Sequence, residues 1–169
     1  YRNVLYFVIL NMQPKERKAK VNIDAQTEYS RRLIRYGILL FILGLITGFL
    51  IPVLQNPRMG LSSHLEATMN GMLLMIFGLI WPKLSLTNKL AKMSFWLALF
   101  GTFTNWFTTL LASIWGAGSE MMPIAGGNLQ GTMWQEVIIK IGLVSLSISI
   151  LVVCVILLWG MKDKLPKTN

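Results

Sequence analysis

Apolar residues gather into four long blocks along the chain, separated by short polar stretches. The first runs from about Leu33 to Leu54 (LIRYGILLFILGLITGFLIPVL) and the second from about Ser62 to Trp81 (SSHLEATMNGMLLMIFGLIW). The third covers about Met93 to Trp115 and the fourth about Trp134 to Trp159. Each is long enough to cross a hydrocarbon layer about 30 Å thick, which takes about 20 helical residues. The blocks lack the ten-residue in-out alternation of a membrane strand, so helices are the only spanning structure they fit. Pro52 falls where a missing backbone donor costs little, near the end of the first block, and Pro82 stops the second. The pattern predicts an all-α, four-helix transmembrane bundle over 33–162, with an extension at 1–32 and a tail at 163–169. Val4 to Leu10 (VLYFVIL) is too short to span and lacks a small-residue cleavage signal, so it reads as a segment lying on the membrane.

Composition agrees. Of 169 residues, 54% are hydrophobic and only 14% charged, and mean hydropathy is +0.57. Too little charge is available to cover a soluble surface, and too much apolar side chain is present for disorder. The net charge of +9 would by itself suggest nucleic acid. Its placement argues otherwise, because 14 of the 16 Lys and Arg precede the first block, sit at 83–92 or lie in the tail. Only Arg58 and Lys140 remain for the other side. That asymmetry puts both termini and the 83–92 loop in the cytoplasm, in a plasma (inner) membrane, with the cations facing anionic lipid rather than nucleic acid. Trp81, Trp96 and Trp159 then fall near inner helix ends and Trp115 and Trp134 near outer ones, as interfacial anchors do. Trp106 falls near mid-membrane and needs a partner for its indole N–H. Cys154, the single cysteine, lies in an apolar run and reads as a small hydrophobe.

Polar side chains inside the blocks need a reason. His64 is the only histidine, and Glu66 and Asn70, four residues apart, share a helix face from which His64 is turned by about 120°. Thr102, Asn105 and Thr109 form one stripe of the third block, with Asn105 at a depth matching Asn70. The two amides could bond to each other as helix glue or line one polar pocket, and depth alone does not choose. Glu136 precedes Lys140 by four, the favourable order for an intrahelical ion pair. Glu120 reads as solvated in the Gly-rich 116–131 loop. Gly37, Gly44 and Gly48 share a face of the first block, and Ser145 and Ser149 share one of the fourth, as small residues do where helices approach closely. One histidine excludes a multi-histidine zinc site, and no HExxH, CxxC, GxSxG or phosphate loop is present. A single histidine can still supply one axial ligand to haem iron.

The segments NPRMGLSSHLEATMNG (56–71), ITGFLIP (46–52), QE (135–136) and LLWG (157–160) resemble the hydroxylaminobenzene mutase family. These small membrane proteins are similar to styrene oxide isomerase, and the resemblance covers about 33–162. It implies an isomerase without net redox that moves the hydroxyl of a lipophilic arylhydroxylamine to the ortho ring carbon, giving a 2-aminophenol. It also implies a homo-oligomer, a trimer, with haem b on His64, because the family histidine stands six residues before an Asn-Gly pair, here Asn70-Gly71. A family asparagine in the third helix matches Asn105. Four residues further on, where the epoxide enzymes have tyrosine, stands Thr109, which argues for the mutase over the haem-dependent aryl epoxide isomerase.

In chemical terms, either Fe³⁺ on His64 or a proton from Glu66 could draw electrons from the N–O bond. Asn70 and Asn105 would orient nitrogen and oxygen, and Trp106 could stack on the ring of a small aromatic substrate entering from the bilayer. A rival reading, a non-enzymatic haem-binding or anchor subunit, expects no substrate-sized cavity. A transporter would need polar residues at both ends of a pathway, whereas here they concentrate at the centre and outside.

Overall fold

In a computed structural model of the chain, residues 14–161 are described, with side chains from residue 26 onward. The expectation for residues 4–10 lies outside them, as does the tail at 163–169. Four long helices carry the fold: α1 (Pro14–Leu50), α2 (Pro57–Ile80), α3 (Asn88–Trp115) and α5 (Met133–Gly160), with a one-turn α4 (Pro123–Gly126) in the loop between α3 and α5. All four are long and apolar enough to cross a membrane, and no strand occurs among the described residues. The predicted blocks recur, with α2 and α3 starting five residues earlier than expected and the other ends of α2, α3 and α5 within one residue. The exception is α1, which starts at Pro14 rather than near residue 33. The reason is local: residues 14–32 contain good helix formers and no glycine, so the helix runs on past the apolar window.

Helix ends match their caps. Asn56 accepts from the Met59 N–H ahead of Pro57 at the first turn of α2. Thr132 and Gln135 form a reciprocal capping box on α5. The C-cap of α3 is Gly116 at φ +62°, a left-handed conformation that glycine adopts without strain. Pro52 and Pro82 sit in single 3-10 turns that end α1 and α2.

Packing is uneven. α3 lies between α2 and α5, and α1 packs chiefly on α2. Only 22% of the apolar windows of α1 and α5 is buried inside the chain, against 44% of that of α3. The rest of their apolar surface is left uncovered by the chain itself. α1 and α2 touch backbone to backbone: a Cβ built on Gly71 would lie 2.7 Å from the Gly37 carbonyl oxygen, and one on Gly78 2.8 Å from that of Ser30. The predicted small-residue face of α1 is this contact. On α5 the close approach is made by Gly142, against Thr108, rather than by Ser145, which bonds back to its own helix at the Gly142 carbonyl.

The tryptophans divide. Trp96, Trp134 and Trp159 are more than half exposed, as anchors should be, and Trp115 packs edge-on against Trp134 at 5.1 Å. Trp81 departs from the expectation. It is 1% exposed and part of the main core, with Tyr29 against it at 6.3 Å. The part of α1 that extends beyond the predicted block supplies that cover. Cys154 is exposed on the outer surface of α5.

Because backbone lies opposite Gly78, Gly78→Val should lower the unfolding free energy by about 1–3 kcal/mol or more, the usual cost of overpacking a tight contact. Reversible unfolding in mixed micelles measures this, and unchanged stability would show that α1 and α2 can separate freely.

Candidate active site

Ser62, Leu65, Glu66, Met69 and Asn70 of α2, with Asn105 of α3, line a cavity of about 320 Å³. That is the lower end of the range for small-molecule pockets. Helical spacing explains the set, because 62, 66, 69 and 70 recur at i, i+4, i+7 and i+8 and so project from one side of α2. Asn105 reaches across from α3 and shares the cavity with Glu66. The Asn70 Nδ2 is buried and has no protein partner. Glu66, Asn70 and Asn105 are therefore brought together as expected. Ser62, Leu65 and Met69 were missed, although their spacing from Glu66 carried the signal.

His64 is not among the lining residues. It turns to the other side of α2, where its Nδ1 lies 2.8 Å from the Gly44 carbonyl oxygen of α1. A carbonyl can only accept, so Nδ1 carries the proton and Nε2 keeps its lone pair. The imidazole fits because α1 has no side chain there: a Cβ on Gly48 would stand 2.9 Å from Nδ1. The glycine face of α1 is thus also the seat of the histidine. Among the described residues no cluster of three or more metal-binding side chains exists, and a single axial ligand requires none.

The sequence pattern of the styrene oxide isomerase family matches residues 29–162. The chain belongs to that family. Hydroxylaminobenzene mutase HabB of Ectopseudomonas oleovorans is 54% identical over 140 residues, which is 83% of this chain and 85% of HabB. Hydroxylaminobenzene mutase HabA of the same organism is 44% identical over 128 residues, 76% of this chain and 95% of HabA. No solved structure matches the chain. The stretch assigned to the styrene oxide isomerase family contains the cavity residues, His64 and nearly all of the four spans.

Two further candidates in this family member point elsewhere. The Trp106 indole N–H donates to Thr47 Oγ1 of α1 at 3.0 Å, which supplies the partner it needed, and the ring does not line the cavity. Thr109 is fully buried, and its hydroxyl bonds back to the Asn105 and Trp106 carbonyls. Neither side chain reaches the cavity.

The loop between α3 and α5 corrects another expectation. Glu136 does not pair with Lys140. Its carboxylate is buried and accepts from the Gly118 and Gly131 N–H groups at 2.9–3.0 Å. Lys140 pairs instead with Glu120, at 3.7 Å between two exposed side chains, so Glu120 stays solvated while making a surface ion pair. A backbone folded around Gly118, at φ +93°, offers the carboxylate donors that a helical i+4 lysine cannot match. Asn56 ties the same loop to α2 by donating to the Ala125 and Gly126 carbonyls.

Glu136→Gln should cost about 1.5–3 kcal/mol through loss of charge-assisted hydrogen bonds. It should also speed hydrogen exchange at Gly118 and Gly131, while Glu120→Gln, which breaks an exposed pair, should cost under about 1 kcal/mol. Equal effects of the two would refute the assignment.

Proposed function

We propose that the chain is a membrane isomerase of the mutase type. It moves the hydroxyl of a lipophilic arylhydroxylamine from nitrogen to the ortho ring carbon and yields a 2-aminophenol. The observation that carries this reading is the convergence of Glu66, Asn70 and Asn105 on one cavity, with the Asn70 Nδ2 buried and unpartnered beside it. An amide left without a partner among spanning helices costs several kcal/mol, and a polar substrate group there would offset that cost. The names of the two mutase relatives supply the reaction that such a set can perform. A substrate-sized cavity is also what the anchor-subunit reading does not expect.

The chemistry balances within one molecule. Glu66 gives a proton to the hydroxyl oxygen as the N–O bond breaks, and positive charge spreads over nitrogen and ring. The oxygen, which left with two protons, adds to the ortho carbon and one of its protons passes to nitrogen; the proton on that carbon returns to the carboxylate, and the ring regains aromaticity. No electron acceptor is consumed. Asn70 and Asn105 hold nitrogen and oxygen in register, and Leu65 and Met69 wall the ring with apolar surface. Limited water in the cavity protects the cation from side reactions.

Haem b, which the family resemblance implies, fits one feature of this chain. The Gly44 carbonyl holds the Nδ1 proton of His64, so Nε2 is free to ligate iron in the way second-shell carbonyls arrange for metal-bound histidines. His64 would hold the group, which when bound supplies a Lewis acid for the hydroxyl oxygen. His64 and the cavity lie on different sides of α2, so a homotrimer that sets the His64 side of one copy near the cavity of another would unite them. We place the assembly in the plasma (inner) membrane with both termini cytoplasmic, on the strength of the basic residues ahead of the apolar part of α1 and around the α2–α3 connection.

Detergent-purified protein should convert hydroxylaminobenzene to 2-aminophenol, and Glu66→Gln, Asn70→Ala and Asn105→Ala should each lower kcat by about 10²-fold or more. Folded wild-type protein that makes no 2-aminophenol would overturn the reading, and conversion of styrene oxide to an aldehyde instead would favour the epoxide isomerase. Protein produced with ample haem should show a Soret band that His64→Ala abolishes, and absence of the band in wild type would remove haem from the scheme.

A further inference from the structure

We propose that Trp106 and Thr47 form a positioning pair that fixes the tautomer and orientation of His64. The inference rests on the reading above in treating Nε2 of His64 as the nitrogen that does chemical work.

Trp106 brackets His64 from two directions. Through its backbone it accepts, at the carbonyl oxygen, from the hydroxyl of Ser63, the residue immediately before His64, at 3.1 Å. Through its side chain it reaches past α2 to α1 and donates to Thr47 Oγ1. Thr47 is 2% exposed, and its own hydroxyl proton goes to the Leu43 carbonyl at 2.8 Å. With the indole N–H arriving and its own proton leaving, the Thr47 hydroxyl has a single orientation. The turn of α1 that it locks holds Leu43 and, next in the chain, Gly44, whose carbonyl accepts the Nδ1 proton of His64.

Glycine packing alone does not supply this restraint. Gly44 and Gly48 let α1 approach α2, with a Cβ on Gly44 standing 2.9 Å from Ala67 Cβ and from Thr68. A smooth glycine face still allows rotation or sliding of α1. A small rotation would swing the Gly44 carbonyl away from Nδ1, and the neutral ring could then place its proton on Nε2 and lose the exposed lone pair. A hydrogen bond from α3 prevents this because it has one length and one direction. Trp106 is in this view a positioning residue that acts through α1 on His64.

The lone histidine makes the test direct, since ¹⁵N-histidine labelling reports one ring. NMR spectra of wild type, Thr47→Val, Thr47→Ser and Trp106→Phe would be recorded in nanodiscs without added haem. A pH of about 8.5 keeps an ordinary imidazole neutral. Wild type should show a protonated Nδ1 and a bare Nε2. Thr47→Val and Trp106→Phe should shift both signals toward an average of the two tautomers, and Thr47→Ser, which keeps the hydroxyl, should restore the wild-type spectrum. In mutase assays the two disruptive variants should lose roughly 10- to 100-fold in kcat with KM nearly unchanged, the size expected of a displaced group. A wild-type spectrum in Thr47→Val, or a Thr47→Ser spectrum like that of Thr47→Val, overturns the proposal. Should Trp106→Phe fail to fold, the two Thr47 variants decide. A tautomer shift in a protein whose wild type has no mutase activity would uphold the pair and refute the functional reading instead.

Discussion

A polar group surrounded by hydrocarbon has no water to turn to, so it must find its partner inside the protein. That constraint orders the interior of this bundle. The hydroxyls of Thr47, Thr68, Thr102, Thr109, Ser145 and Ser147 all bond back to carbonyls of their own helices. Between helices, Ser30, Ser63, His64 and Trp106 each bond across to a neighbour. Among the described residues three buried side-chain atoms have no partner, on Asn70, Trp81 and Ser94. Trp81 and Ser94 are embedded in the core, whereas Asn70 borders a cavity with two other polar groups. That difference separates a packing defect from a candidate site.

α2 divides the functional groups. Toward α1 it presents Ala67, Gly71 and Gly78 at intervals that permit contact with backbone, and His64 enters the space opposite Gly48. Toward α3 it presents Asn70 and Glu66 to Asn105. One helix thus serves two unlike neighbours, a smooth one that seats a ring and a polar one that shares an amide. The 37-residue length of α1 and the cap it places over Trp81 hold the end of this arrangement at the α2–α3 connection.

The end of the bundle at the α3–α5 loop depends on two buried polar side chains. Glu136 gathers the Gly118 and Gly131 amides, and Asn56 gathers the Ala125 and Gly126 carbonyls while capping α2. Both residues lie in segments that carry the family resemblance. Their observed contacts are with the loop backbone, so their place in the pattern reflects how the loop is fastened rather than contact with the cavity.

Four spans, the stops at Pro52 and Pro82, and the shared face of Glu66 and Asn70 follow from the order of residues alone. Hydropathy over twenty positions and a 3.6-residue repeat are local properties, and tertiary contacts do not alter them. The convergence of Asn70 and Asn105 could only be posed as a choice between glue and pocket, because depth says nothing of the rotation of one helix against another. Packing decided it in favour of a cavity. Packing likewise turned His64 onto α1, gave the Trp106 indole to Thr47, took Trp81 into the core and moved Glu136 from its i+4 lysine to a loop. Each of these outcomes depends on a partner distant in sequence, and a buried donor or carboxylate takes whichever partner the assembled helices bring nearest, which no local pattern encodes.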